Sequence, residues 1–312
     1  MSQPILTLSG VNVDYGDVPI LRDISMEVHP GQIVGVVGES GSGKSTTIYA
    51  TMGILGKGGR VTAGEIRYDG RDLLAMSPEE KRKLRGSDLS LIAQDPIAFF
   101  HPIRRIRSEL LELVHAHGGM TDAEAEAEML RAMEAISLRD GKRILNHFSF
   151  ELSGGMCQRT SIAMGMVLKP RILFADEPTS ALDVTVQKQV VSEMMKIRDE
   201  SGTAIFMVSH NMGVIAYMSD YIYVMLSGRV MECGPKEEVI RRSIHPYTQK
   251  LISVIPRLNE PVPRGVALRE PDRAAAGCPF RKSCELCRAE CAEHIPEMRE
   301  LEPGHFVRCD CV

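Results

Sequence analysis

Nowhere in the 312 residues does an apolar run approach the ~20 residues that a bilayer-spanning helix needs. The opening Met1-Ser2-Gln3-Pro4 has neither the basic region nor the apolar stretch of a secretory signal. Neither sign of charge dominates: 37 Lys and Arg stand against 41 Asp and Glu, a net charge of -4. That balance argues against a chain held to nucleic acid by bulk electrostatics. No internal repeat is present. With 44% apolar and 25% charged residues the chain is an ordinary globular one, long enough for one large domain or one domain with an appendage. The expectation is a cytosolic chain whose membrane role, if it has one, comes through partners.

Strand and helix patterns alternate. Short β-branched and aliphatic runs at Ile5 to Leu8, Ile24 to Val28 and Ile33 to Val37 read as strands, and Asp69-Gly70 marks a hairpin turn. Ser77-Pro78-Glu79-Glu80 opens a helix with a capping box and a proline at its first position. From about residue 104 to 140 the period becomes helical: Thr121 caps, Glu124 returns the cap, and Met129, Leu130, Met133 and Ile136 share an apolar face read as core. Strands return at Ile172 to Ala175, Ala204 to Val208 and Tyr221 to Leu226, with helices between. The pattern predicts an α/β fold with a mainly parallel sheet, an antiparallel β subdomain and a helical subdomain at about 95–165. After about residue 243, Pro256, Pro261, Pro263 and Pro271 break up a linker. The domain reading is therefore 1–243 for the core and 244–312 for a carboxy-terminal extension.

Gly38-Glu39-Ser40-Gly41-Ser42-Gly43-Lys44-Ser45-Thr46 fits a phosphate-binding loop, preceded by an apolar strand and followed by a helix-compatible run. Glycines let backbone N–H groups turn toward phosphate oxygens, and the helix N-terminus adds its dipole. Lys44 would reach the β- and γ-phosphates, and the Ser45 hydroxyl would hold Mg²⁺. The competing reading is a chance Gly/Ser-rich loop. Ile172 to Ala175 runs into Asp176-Glu177, which alone would pass for a turn. Paired with the loop, the two carboxylates become a hydrolysis site, with Asp176 on the metal and Glu177 on the attacking water.

Leu152-Ser153-Gly154-Gly155-Met156-Cys157-Gln158-Arg159 resembles the signature motif of ABC-transporter ATPases, and other elements of that family follow in register. Tyr15 is similar to the aromatic residue that stacks on adenine, Gln94 to the Q-loop glutamine, Ser180-Ala181-Leu182-Asp183 to the D-loop, and His210 to the switch histidine. The resemblance spans residues 1 to about 240. It implies two such domains meeting head to tail, with Ser153, Gly154, Gly155, Gln158 and Asp183 of one chain completing the ATP site of the other. His210 would hold the γ-phosphate, and Gln94 would link the metal site to the helical subdomain that contacts a permease. Asp95-Pro96, His245-Pro246-Tyr247-Thr248 and Gly277-Cys278-Pro279-Phe280 narrow the resemblance to the oligopeptide/dipeptide/nickel importer ATPases.

In that family the ATPase is a separate peripheral chain at the cytoplasmic face of the membrane. The partners implied are two transmembrane permease subunits, an extracytoplasmic solute-binding protein and a second, related ATPase forming a heterodimer. The cargo is a peptide or a related small solute such as a nickel complex. Two other readings stand beside it: a soluble ABC ATPase without a transport role, and a non-catalytic assembly subunit with a sensing tail. Departures from the family pattern are Cys157 in place of a basic residue, Phe99-Phe100-His101, Phe148-Ser149-Phe150, and Asn211 after the switch histidine. Cys157 is expected to change the charge near the partner's nucleotide.

Six of the eight cysteines fall in the last 35 residues, which in a reducing compartment reads as a metal site sooner than as disulfides. Cys278-x5-Cys284-x6-Cys291-x17-Cys309 resembles the family's cysteine pattern, associated there with a [4Fe–4S] cluster. Zinc is the alternative, because Cys284-x2-Cys287 has the tight spacing that zinc sites favour; Cys287 and Cys311 lie outside the family pattern. A structural clip and a redox sensor are both open as roles. Cys233 reads as a packing residue at a strand end.

Overall fold

The computed structural model describes residues 3–180, 182, 184–255 and 276–312. The prolines of the expected linker, and Asp183 of the expected D-loop, lie outside the described residues. The chain forms two compact units, one built on residues 29–32 and 75–207, the other on residues 3–28, 33–74 and the described part of 208–312.

The second unit carries an antiparallel sheet in the order Val18–Val28, Leu6–Tyr15, Gly59–Tyr68, Arg71–Asp72. Alternation does the folding here: Leu6, Leu8, Val11 and Val13 are buried while residues between them reach the surface. Asp69 and Gly70 both have positive φ, 50° and 75°, so the predicted turn is a tight hairpin of the type that matches strand twist. Beside this sheet, in the same unit, lie five more strands in the order Arg299–Glu302, His305–Val307, Arg229–Pro235, Tyr221–Leu226, Ile33–Gly38. The last two pair in parallel, and the rest are antiparallel. The Ile33–Gly38 strand is buried along its whole length, as its unbroken apolar run requires. Gly35 is obligatory there, since a Cβ would meet Ser219 Oγ at 2.2 Å and Ile215 Cγ2 at 2.6 Å.

The carboxy-terminal tail is bound more closely than an appendage on a linker. Its hairpin extends the sheet by pairing Glu232 with Val307 and Cys233 with Phe306. Buried Arg308 then donates to Val230 O at 3.0 Å, Pro296 O at 3.0 Å and Asp23 Oδ2 at 2.8 Å. Cys233 sits inside the Arg229–Pro235 strand, not at its end, and its sulfur lies 3.7 Å from Tyr221 Oη.

The first unit holds Leu89–Ile92 parallel to Ile172–Asp176, with the Ala204–Ser209 strand beside the latter. Helices Ile106–His117, Asp122–Ala135, Gly141–Leu145 and Gly154–Met166 make up the expected helical region. Met129, Met133 and Ile136 are buried, so the methionine face is core, while Leu130 is half-buried. Both predicted capping boxes form: Ser77 with Glu80, and Thr121 with Glu124. Among the described residues no helix is long and apolar enough to cross a membrane.

Thr121 Oγ1 accepts from Glu124 N, and Glu124 Oε2 accepts from Thr121 N at 2.8 Å. Thr121→Ala removes one of these caps and is expected to cost about 1 kcal/mol. Equilibrium urea unfolding of the two chains checks it: the midpoint should fall with an unchanged slope.

Candidate functional site

In the second unit the phosphate-loop glycines are demanded by geometry. Gly43 takes φ 97° at the N-cap of the Lys44–Met52 helix, and a Cβ there would meet Leu21 Cδ2 at 2.5 Å. A Cβ on Gly38 would strike Met225 O at 2.1 Å. The side chain of Lys44 is almost wholly enclosed and its ammonium donates to Gly38 O at 2.9 Å and Glu39 O at 2.8 Å. Ser42 is buried and its hydroxyl has no protein partner. Such a loop presents a cation, a helix N-terminus and an unspent hydroxyl, which is the chemistry that receives phosphate. Tyr15, the expected adenine platform, is half-buried with its ring against Gly59, where a Cβ would come within 2.9 Å. His210 lies exposed just past the Ala204–Ser209 strand. Asn211 behind it caps the Met212–Met218 helix, its Oδ1 accepting from Gly213 N at 2.9 Å and Val214 N at 3.4 Å. An asparagine serves that cap as well as an aspartate, so this departure leaves the cap intact.

The sequence analysis missed one member of the loop's surroundings. The Glu39 N–H donates to Tyr247 Oη at 3.1 Å, and Tyr247 is wholly buried. Its segment is held by Glu232, a carboxylate with no exposure that accepts from Ile244 N at 2.8 Å and His245 N at 3.0 Å. Burial holds the His245 imidazole down to about 4, so it is neutral, and its Nδ1 accepts from Tyr247 N at 3.0 Å. His245-Pro246-Tyr247-Thr248 was visible in the sequence only as a family resemblance; its reach to the phosphate loop was not.

In the first unit Asp176 ends a fully buried strand and has no exposure itself. Glu177 follows with φ 47°, a left-handed conformation uncommon for a residue with a Cβ. Strain of this kind persists where the surroundings hold it. Here Ser180 N and Ser180 Oγ both donate to Glu177 O, at 3.2 and 3.1 Å. The Gln94 amide donates to Glu177 Oε2 at 3.4 Å, bringing together two residues 83 positions apart that the sequence reading named separately.

The signature segment divides. Ser153 is the N-cap of the Gly154–Met166 helix, its Oγ accepting from Met156 N at 3.3 Å. Ser153 and Gly154 are exposed and Gly155 is half-exposed, leaving a helix N-terminus open to an anion. Gln158, grouped with them from sequence, is fully buried and neither of its amide atoms has a protein partner. Cys157 is buried too: its thiol donates to Pro96 O at 3.3 Å, and burial pushes it up to about 11, helped by Asp95 and Glu109. The thiol itself therefore brings no charge to the surface. Cys157 is a neutral link between the signature helix and the segment after Gln94.

The tail cysteines are all unpaired as disulfides. Cys278 and Cys309 are buried, Cys284 and Cys291 half-buried, and Cys287 exposed. Burial raises the Cys278 thiol to about 11, and the charges of Cys291, Cys309 and Cys284 add to the rise. Cys291 Sγ and Cys311 Sγ lie 3.5 Å apart.

Comparison with known proteins places the chain in a family. Residues 21–180 match the ABC transporter family model, and residues 231–291 match the oligopeptide/dipeptide transporter C-terminal region. The oligopeptide transport ATP-binding protein OppD of Salmonella typhimurium is 37% identical over 298 residues, covering 94% of this chain and 88% of the relative. A probable peptide ABC transporter ATP-binding protein of Sinorhizobium fredii is 35% identical, covering 95% and 91%. The fold is similar to that of the dimeric ATP-binding cassette MJ0796 with ADP and Pi, at TM-score 0.67 and 24% identity over 74% of this chain and 98% of that one. With a phosphate loop, a strand-end carboxylate pair, a signature helix and relatives matched along nearly its whole length, the chain belongs to the ABC transporter family of ATP-binding subunits.

Proposed function

We propose that this chain binds and hydrolyses ATP to power a binding-protein-dependent importer of peptides or a related small solute. The Gln94–Glu177 hydrogen bond carries the reading. It joins a carboxylate suited to general-base work to the segment leading into the helical region, so chemistry and a docking surface share one connection. That surface includes a groove of about 510 Å³ where Phe99, Phe100, Leu113 and Met164 meet the polar His101, Arg104, Glu109 and Glu112, with Ile97 and Ile103 exposed nearby. A permease element with an apolar face and polar flanks is the occupant this mixed lining suits.

Lys44 would hold the β- and γ-phosphates, with the loop amides from Gly38 to Thr46 around them and Tyr15 under the adenine. The Ser45 hydroxyl and the Asp176 carboxylate are the oxygen donors that suit Mg²⁺, which when bound neutralises the phosphate charge. Glu177 takes the proton of the attacking water while Gln94 fixes the orientation of its carboxylate. His210 steadies the γ-phosphate. Ser153, Gly154 and Gly155 complete the site of a partner ATPase, as does Asp183, and the buried Gln158 supports their helix from beneath. The relatives are named as peptide transport ATP-binding proteins, which supports peptide as the cargo class. Two permeases and a binding protein are the partners that go with this reading, and the cytoplasmic membrane face is its place of work. The second ATPase is a related but different chain, and residues 244–312 act as an extension fastened to the core through the tail hairpin.

The tail cysteines fit a [4Fe–4S] cluster on Cys278, Cys284, Cys291 and Cys309. Burial raises the Cys278 and Cys284 thiols and neighbouring cysteines add to the rise, so these two become thiolates most readily beside compensating metal charge. Among the described residues no three thiol sulfurs lie within 4.8 Å of one another. A single zinc ion, with Zn–S near 2.3 Å, would need its four sulfurs drawn closer than that. A structural clip is the role that the site's buried position supports.

Three outcomes are expected. Glu177→Gln in the assembled complex should lower turnover at least 100-fold while ATP binding persists; turnover near wild type would remove Glu177 as the base. Lys44→Ala should weaken ATP binding itself, and an unchanged affinity by titration counts against the loop. Chain purified without oxygen should carry about four iron and four sulfide per chain, lost in Cys284→Ser, whereas one zinc and no sulfide would replace the cluster by the alternative.

A further inference from the structure

Outside the nucleotide and cysteine sites, the second unit gathers three further metal-ligand groups. The Arg299–Glu302 and His305–Val307 strands are joined by a tight turn at Pro303-Gly304, with Gly304 at φ 75°, so Glu302 and His305 stand directly opposite each other. Tyr221 Oη holds that turn by donating to Gly304 O at 3.2 Å. His305 lies flat on Gly234, where a Cβ would meet its Cδ2 at 3.0 Å. Pro235 then turns the chain into the Lys236–Arg241 helix, which brings Glu238 to the same place. One ligand atom each of Glu238, Glu302 and His305 falls within 4.8 Å of the others.

The imidazole distinguishes this cluster from a chance meeting of acids. His305 has no exposure. Its Nε2 is engaged with Glu232 Oε1 at 2.8 Å, and because that partner is a carboxylate, Nε2 carries the proton. Nδ1 is the other ring nitrogen, buried and without any protein partner. A carboxylate on one nitrogen of a histidine and an unpartnered second nitrogen is the arrangement that orients a metal-ligating imidazole. Glu302 is exposed and Glu238 half-buried, so the group is open to solvent on one side. The cation now nearest is Arg242, whose Nη1 is 3.5 Å from Glu238 Oε2 and 3.8 Å from Glu302 Oε2. Both distances are long for guanidinium–carboxylate pairing, whose bonds run ~2.7–2.9 Å.

We propose that Glu238, Glu302 and His305 Nδ1 bind one divalent transition-metal ion, with Glu232 as the positioning carboxylate behind the imidazole. One nitrogen and two carboxylates suit Zn²⁺, Co²⁺ or Mn²⁺ better than Ca²⁺, which takes oxygen alone, and three protein ligands leave a position for water. The ion displaces Arg242 from the carboxylates. It ties the tail hairpin to the helix after the last core strand, independently of any cluster on the cysteines.

Co²⁺ is the probe, titrated into the nucleotide-free full-length chain with its cysteine site already filled. Wild type is expected to bind one equivalent, giving d–d absorption without the thiolate charge-transfer band that a cysteine site would add. Glu302→Gln, an exposed change that spares the fold, should weaken binding at least 10-fold, and Arg242→Gln should tighten it. Zn²⁺ should compete for the signal. The proposal is overturned if wild type shows no such absorption, or if Glu302→Gln, folded by circular dichroism, binds Co²⁺ as well as wild type does; the three residues are then an ion-paired group served by Arg242 alone.

Discussion

A carboxylate withdrawn from water must be met by donors, and much of the second unit is arranged around one that is. Glu232 has no exposure, and it is answered by the Ile244 amide and the His305 ring at Oε1 and by the His245 amide at Oε2. These three partners come from stretches of chain outside the strand that carries Glu232. The carboxylate therefore draws together the last core strand, the segment that ends in Tyr247 and the tail hairpin. Tyr247 in turn receives the Glu39 amide, so the entrance of the phosphate loop rests on residues more than 200 positions later. Removing one partner of such a group leaves a buried charge unmet, which is why this small network carries more weight than any exposed ion pair nearby.

The first unit solves a different problem, that of holding a reactive carboxylate in an uncommon conformation. Glu177 keeps its positive φ because Ser180 engages its carbonyl and Gln94 its side chain. Just past Gln94, Pro96 accepts from the buried thiol of Cys157, so the segment between is pinned at both ends. A basic residue at that position would have to bury its charge or leave the helix face. A neutral thiol does neither. The signature helix and the Gln94 segment are thus fastened by a contact that costs no desolvation of charge.

Much of this was legible beforehand for identifiable reasons. The phosphate loop reads from sequence because only glycine tolerates the φ at Gly43 and the close approach at Gly38. Both capping boxes read because the cap and its answering glutamate sit three residues apart, and local chemistry needs nothing more. Hairpin Asp69-Gly70 read for the same reason. The burial of Cys157 was not legible, since its position in a motif said nothing of which way the helix turned it. Gln158, next in the chain, was placed among nucleotide contacts for the same cause, and the helix buries it. Glu238, Glu302 and His305 left no trace, because their spacing matches no local ligand pattern and two of them look like ordinary surface acids.

The sequence by itself determined the elements, the loop that receives phosphate, the strand-end carboxylates and the family, all of which depend on residues adjacent or nearly so along the chain. Tertiary structure alone decided that Gln94 meets Glu177, that Tyr247 props the phosphate loop, that Arg308 and a hairpin bind the tail into the sheet, and that one face of His305 is left unanswered. The reason is physical: local chemistry repeats with helix and strand period and can be read along the chain, whereas burial and the partners it demands are set by what other segments bring.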